Sequence, residues 1–525
     1  MRYRLLLPLL MLVAACQPAA DDPASPGSTS ASSDSSTVTL LFTNDVESAY
    51  DPIPAFWLDD QEMIGGIAEM TTLIRGLRES EPNVFLFDSG DIFTGALAKI
   101  TEGRLAFELM ISMGYDAMAI GNHEFEYGHE VFAWQKNRAP FPVLGANFFY
   151  RDTGHPYAQA HAIIERNGIR IGVIGIMGQD AVSAIIPSFI APLDVTDPVE
   201  AVQLSVNELR GDVDLIVLLT HQGKTAPMQT DAESDPRLQR DIDADIALAG
   251  AVRGIDVLFA GHADAGTPEP VIHPVTGTII MQTYGQATHL GYLQLSLDPR
   301  TRRIERYDGR LIPVNPAIHE PDPVIAAKLA EYRAAYPRLQ EVIGTSEVRL
   351  NRRYIEESDI GNFFADALQL LSSAEIAFVH AGSLRKDLPK GDIRVVDLLD
   401  AYPFVDDVMV VEMTGEQIRR VLEQSYTLER GMLQVAGLNI VYDLDKPEGQ
   451  RVVSIEHYGR PVTDRARYTV AAPGFLAEGG DLYTPFTETT PIRNMGSVVN
   501  TIAGLIASVE TVTTPQGGRQ VPVSE

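Results

Sequence analysis

The chain has a single cysteine in 525 residues, Cys16, so it can form no disulfide within itself. It is also poor in basic residues. Lys and Arg total 41 against 71 Asp and Glu, a formal net charge of −30. Nucleic-acid phosphates demand a positive surface, so this balance excludes a nucleic-acid polymer as partner. There is no internal repeat, and the apolar run at the N-terminus is too short to stay in a bilayer as a spanning anchor. What is present is an apolar content of 45%, that of a globular protein, in a chain too long for one ordinary core. Two or three domains are expected.

The opening "MRYRLLLPLLMLVAAC" carries Arg2 and Arg4, a short apolar stretch, and small residues that end at Cys16. "VAAC" resembles the lipobox of bacterial lipoproteins, which makes residues 1–16 a signal peptide and Cys16 the lipidation site. Residues 17–37 form a Ser/Pro/Asp-rich tether with nothing to bury. Gln17 after Cys16 favours the outer membrane, with the protein facing the periplasm or the surface. The lipid at Cys16 is then the only membrane contact expected.

Between Thr37 and Val314, short apolar runs such as "VTLLFT", "NVFLFD", "RIGVIGI" and "DLIVLL" alternate with helical patterns. That is the signature of buried strands in a layered α/β domain. Asp45, Asp91, Asn122, His221 and His262 each fall just past a strand end, the edge where α/β sheets gather ligands. Residues 38–316 are therefore expected to form the first domain. Residues 317–344, "EPDPVIAAKLAEYRAAYPRLQEVIG" at their centre, read as a hinge helix bent or ended by Pro337. A smaller mixed α/β domain follows over 345–515, and 516–525 read as a frayed tail.

Taken in order, the polar motifs are Asp45-x-Glu47, Gly90-Asp91, Gly121-Asn122-His123-Glu124, Thr220-His221 and Gly261-His262-x-Asp264. Any one of them alone has a bland explanation as a turn or a cap. Together they resemble the calcineurin-like metallophosphoesterases, and with the second domain the 5′-nucleotidase/UDP-sugar hydrolase family. The resemblance implies two divalent metal ions bridged by Asp91. One ion takes Asn122, His221 and His262; the other takes the residues at positions 45, 47 and 264. Such a pair lowers the pKa of a bridging water and clamps the phosphoryl oxygens. His123 resembles the family's transition-state stabiliser and leaving-group acid, with Glu126 in place of the family's Asp as the carboxylate that orients it.

Two positions depart from the family: Glu47 and Asp264 stand where it has His. Both fall on the same ion and both replace nitrogen by oxygen. The expectation is an unequal pair, with Mn²⁺, Mg²⁺ or Ca²⁺ among carboxylates and Zn²⁺, Fe or Mn²⁺ among imidazoles. Asp is shorter than His, so Asp264 reaches less far.

In the second domain, the resemblance implies that Phe404 of "AYPFVDD" and Phe475 of "PGFLAEGGD" clamp a nucleobase, that Asp481 meets the ribose, and that Arg385 binds phosphate. His380 replaces the family's Asn in "HAGSLR". Tyr354 occupies the place of a second family arginine, with Arg353 beside it as a substitute. The expected function is hydrolysis of small-molecule nucleotides outside the cytoplasm. A UDP-sugar pyrophosphatase, a 2′,3′-cyclic-nucleotide phosphodiesterase or a sulfur-compound hydrolase are alternatives on the same fold; the Phe pair points away from the last. A non-catalytic metal- or nucleotide-binding lipoprotein is the alternative of another class, and the presence of His123 argues against it.

Overall fold

Alternation along the first strand, Ser36–Thr43, sets the layers: Leu40 and Phe42 point to one face and Leu41 to the other. The computed structural model describes residues 36–227, 238–509 and 511–523. Cys16 and the expected signal peptide lie outside those residues, as does the tether up to residue 35. No helix among the described residues is long and apolar enough to cross a membrane.

Two six-stranded sheets form the first region. In one, Ser36–Thr43, Val84–Asp88, Ala117–Ala119 and Val143–Leu144 run parallel. The antiparallel strands His289–Leu297 and Ile304–Pro313 extend that sheet beyond Ser36–Thr43. In the other, Ile169–Met177, Leu215–Gln222, Val257–His262 and Ile279–Met281 run parallel, with antiparallel strands at both edges. The sheets face each other through Phe42, Phe85, Phe87, Val173, Leu219 and Phe259. The rings of Phe42 and Phe259 stack with centroids 4.0 Å apart. Each such buried side chain contributes about 1.5–3 kcal/mol. The outer faces are covered by helices, Ile67–Ser80 and Arg104–Met113 on one sheet and Pro198–Leu209 and Asp243–Ala251 on the other. This is the expected layered α/β architecture, in four layers.

The helix Pro323–Ala335 opens on Asp322, whose carboxylate accepts from the amides of Val324 and Ile325, and stops before Pro337. It leans on Glu108 of the first region through Lys328 (3.0 Å) and Tyr332 (2.9 Å). Beyond it stands a five-stranded mixed sheet containing Ile376–Val379, Asp407–Thr414 and Arg467–Pro473, with the helices Asp359–Ser372 and Gly415–Ser425 packed against it.

The expectation of a frayed tail over 516–525 is corrected for its described part, up to residue 523. Gln520–Pro522 pairs in parallel with Asn439–Tyr442. Arg519 donates to the Val435 carbonyl at 2.8 Å and pairs with Asp366 at 2.6 Å, and Gln520 accepts from the Tyr426 hydroxyl at 2.8 Å. Polar residues pin this segment, which is why its composition reads as loose.

Candidate metal centre

Asp91 lies at the meeting point of the two sheets, just past Val84–Asp88. Its loop is braced by Glu124, a wholly buried carboxylate that accepts from the amides of Asp91 (2.9 Å), Ile92 (2.8 Å) and Gly121 (2.6 Å). Sequence reading passed over Glu124 as part of the "GNHE" motif. The glycines around it are compulsory. A Cβ on Gly121 would sit 2.3 Å from Asp91 Oδ1, and one on Gly90 would sit 2.6 Å from the Gly121 nitrogen.

His221 ends the strand Leu215–Gln222 and His262 ends its neighbour Val257–His262. Nδ1 of His221 donates to the Ser89 carbonyl at 2.8 Å, which aims Nε2 at Asp91 Oδ2 and Asn122 Oδ1, each 3.0 Å away. Nε2 of His262 is buried with no hydrogen-bond partner among the described residues. Ligand atoms of Asp91, His221 and His262 lie within 4.8 Å of one another. An orphaned imidazole nitrogen beside a fixed one, a carboxylate and an amide oxygen is a donor set that fits Zn²⁺, Fe or Mn²⁺. Burial opposes charge on His221, but Asp91 and Asp45 overcome it and raise the imidazole to about 10. The same contacts outweigh burial at Asp91 and hold that carboxyl well below its usual range. His221 would have to give up its Nε2 proton to serve as a ligand to a divalent ion.

The carboxylate side differs. Asp45 Oδ2 accepts from the His262 amide (2.8 Å) and from Asn44 Nδ2 (2.8 Å), and burial lifts its carboxyl to about 7. Glu47 Oε1 lies 3.3 Å from His123 Nε2 and 3.4 Å from Arg385 Nη1. Ligand atoms of Glu47, Asp91 and His123 converge within 4.8 Å. Asp264, expected beside Asp45 and Glu47, meets a cation across the loop. Asp264 pairs with Arg240, Oδ2 to Nη1 at 3.2 Å, and lies 3.5 Å from Asn44 Nδ2. Burial and Asp45 push its carboxyl well above the usual carboxylate range, and Arg240 only partly opposes them.

His123 Nδ1 donates to Glu126 Oε1 at 2.6 Å, and Thr94 also donates to that oxygen. Nε2 of His123 accepts from Arg385 Nη2 at 2.7 Å. Burial lowers the His123 pKa, but Asp91 and Glu126 outweigh it and lift the imidazole to about 9. A guanidinium has only hydrogens to offer, so the imidazole shown is the neutral tautomer and must part from Arg385 before charging.

One cavity joins this centre to the second region, and Asp91, His123, Arg385, Phe404, Phe475 and Asp481 all line it. Phe404 stacks beside His123 with centroids 6.0 Å apart, and Phe475 meets the ring of His380 edge-on. His380 Nε2 is 3.1 Å from Asp481 Oδ2. Arg353 is the exception among the expected binding residues. In the bent segment before the helix Asp359–Ser372, Tyr354 faces the cavity while Arg353 lies beside Asp359. Two arginines that sequence reading missed, Arg240 and Arg430, line the cavity instead. Two surplus carboxylates were the signal: buried acids call for nearby cations.

The calcineurin-like phosphoesterase family matches residues 38–263, and the 5′-nucleotidase C-terminal domain family matches residues 342–488. The chain belongs to the 5′-nucleotidase family. As a member it is a hydrolase of the metallophosphoesterase class. It is 27% identical to a 5′-nucleotidase of Diplobatis ommata, over 92% of this chain and 89% of that one. It is 28% identical to a 5′-nucleotidase of Vibrio cholerae, over 88% of each chain. The solved structure of a 5′-nucleotidase precursor from Thermus thermophilus superposes with a TM-score of 0.80 at 26% identity, covering 93% of this chain and all of that one. A sulfate thiohydrolase from Thermus thermophilus, 22% identical with a TM-score of 0.73 over 93% of this chain, shares the fold.

Proposed function

We propose that this chain is an extracytoplasmic phosphoesterase that releases phosphate from small-molecule nucleotides, held to the outer membrane by a lipid on Cys16. The observation that carries the reading is the shared cavity. An aromatic pair, a buried carboxylate and an arginine line the same space as Asp91 and His123. Asp481 Oδ1 is buried with no hydrogen-bond partner among the described residues, and so is available to a ribose hydroxyl. Phe404 and Phe475 offer apolar faces to a base, a contact that tolerates different bases.

Asp91, Asn122, His221 and His262 would hold one divalent ion. Asp45, Glu47 and Asp91, with Asp264 behind them, would hold a harder one such as Mn²⁺, Mg²⁺ or Ca²⁺. When bound, the two ions supply the charge that acidifies water and neutralises the transferring phosphoryl group. The side chains do the rest. Arg385 leaves His123 for the phosphate oxygens, which its planar fork matches in a bidentate pair. His123 Nε2, released from Arg385, takes a proton that Asp91 and Glu126 favour. It then gives that proton to the departing alcohol oxygen. Glu126 keeps the ring oriented by accepting from Nδ1 throughout. The helix Pro323–Ala335 lies between the family-matched segments and is the proposed hinge by which 345–522 bring substrate to the ions.

The test is phosphate release from nucleoside mono-, di- and 2′,3′-cyclic phosphates and from UDP-glucose, repeated with Zn²⁺, Mn²⁺, Mg²⁺ and Ca²⁺. Nucleotide hydrolysis that rises with a mixture of a soft and a hard ion is expected. Release from none of the nucleotides under any metal would sink the reading, and full activity with Zn²⁺ alone would remove the unequal pair.

A further inference from the structure

The two positions at which this chain replaces the family's histidine by a carboxylate each face a guanidinium. Arg385 lies 3.4 Å from Glu47 and Arg240 lies 3.2 Å from Asp264. Arg385 has a phosphate to bind. Arg240 has no such duty, and its surroundings tie it down. Nη1 also donates to the Ala263 carbonyl at 2.5 Å, Nε donates to the Pro227 carbonyl at 3.3 Å, and the side chain is 14% exposed. Asp264 is equally confined. Its carboxylate rests on Gly285, where a Cβ would stand 2.1 Å from Oδ1, and its backbone is left-handed at φ 50°. No ligand group within 4.8 Å of Asp91 includes Asp264 among the described residues.

We infer that Arg240 is a resident cation of the carboxylate half: it latches Asp264, withholds that carboxylate from the second ion, and so makes the second ion bind much more weakly than the first. The inference rests on the two-ion reading above and deepens it. A fixed positive charge beside an ion site repels the ion and also occupies one of its oxygens. Among the described residues, no lysine or arginine pairs with Asp91, Asn122, His221 or His262 of the imidazole half. Its ion should therefore bind with an affinity that Arg240 hardly affects, whereas the second ion should come and go at ordinary metal concentrations. Arg240 is a positioning residue in this scheme, acting on the ion through Asp264.

The experiment is a Mn²⁺ titration of the chelator-treated full chain, with bound ion counted by equilibrium dialysis and mass spectrometry. Wild type should hold one Mn²⁺ tightly and a second weakly. In Arg240→Gln the second ion should bind at least about tenfold tighter, the order expected from removing one nearby charge, with the first unchanged. Arg240→Lys, which keeps the charge, should stay near wild type. In an Asp264→Asn background Arg240→Gln should gain much less, a coupling that only a direct pair produces. Unchanged or weaker second-ion binding in Arg240→Gln overturns the inference, and so does a gain undiminished by loss of Asp264. Should Arg240→Gln not fold, Arg240→Met takes its place: it removes the same charge and keeps the aliphatic stem, so the same gain supports the latch and its absence overturns it. Absence of any tightly held ion in wild type would instead bring down the two-ion reading itself.

Discussion

On one side of Asp91 stand His221 and His262, the former beside a neutral amide and already fixed by the Ser89 carbonyl. On the other side, Glu47 and Asp264 each face an arginine. The first half is built as ligation sites usually are, with an outer partner orienting a ligand whose free nitrogen points inward. The second half spends its carboxylates on neighbouring cations. Two halves sharing one bridging carboxylate thus present different affinities, and the difference comes from charge compensation rather than from ligand count.

The comparison can be broken most sharply at His123, which serves both halves. His123→Ala should lower turnover by about 10²–10⁴-fold, the usual worth of a positioned acid, while leaving bound metal unchanged. Loss of metal along with activity would assign His123 to ligation instead. Next in size is a paired measurement of metal content. His221→Ala should abolish the tightly held ion, and Glu47→Ala should keep it; equal losses would erase the distinction between the halves.

A smaller effect tests what lies beneath the imidazole half. Asp245 is fully buried and accepts from Thr220 (2.6 Å) and Gln222 (3.0 Å), which flank His221. Burial raises its carboxyl from 3.8 to about 7. The folded chain therefore keeps a proton that the unfolded chain loses. The resulting stability is complete below pH 3.8 and drains away as pH rises to about 7. Asp245→Asn should flatten the loss of urea resistance between pH 5 and 7, a change of no more than about 3 kcal/mol. A slope identical to wild type would place the titration elsewhere. The smallest expected effect is Phe475→Ala, which should raise KM for nucleotides about tenfold with kcat little altered; an unchanged KM would take the ring out of the substrate clamp.

The imidazole half was legible in the sequence because its residues sit at the ends of unbroken apolar strands, where local pattern and position agree. The layered architecture was legible for the same reason. The Arg240 latch was not. It joins residues 24 positions apart across two loops, and neither carries a pattern. Tyr354 and Arg353 were assigned by counting from a motif, which cannot say which of two neighbours turns inward. The docked segment at Gln520–Pro522 was hidden by composition, since its anchors are the polar side chains of Arg519 and Gln520. Glu124 was visible but misjudged. Its three backbone partners come from two loops that only the fold brings together.

Five residues of the centre, Asp45, Glu47, Asp91, His262 and Asp264, hold left-handed backbone, with φ between 46° and 72°. None is glycine, so the chain carries at its most reactive edge conformations that side chains resist, at about 1–3 kcal/mol apiece. Selection for heat resistance alone would therefore work against the enzyme. Glycine or asparagine at position 47 would relax its loop and raise the melting temperature while dismantling the carboxylate half. A library screened only for survival on heating should enrich inactive variants at that position, and the catalytic edge would be the first part of the molecule such a screen discards.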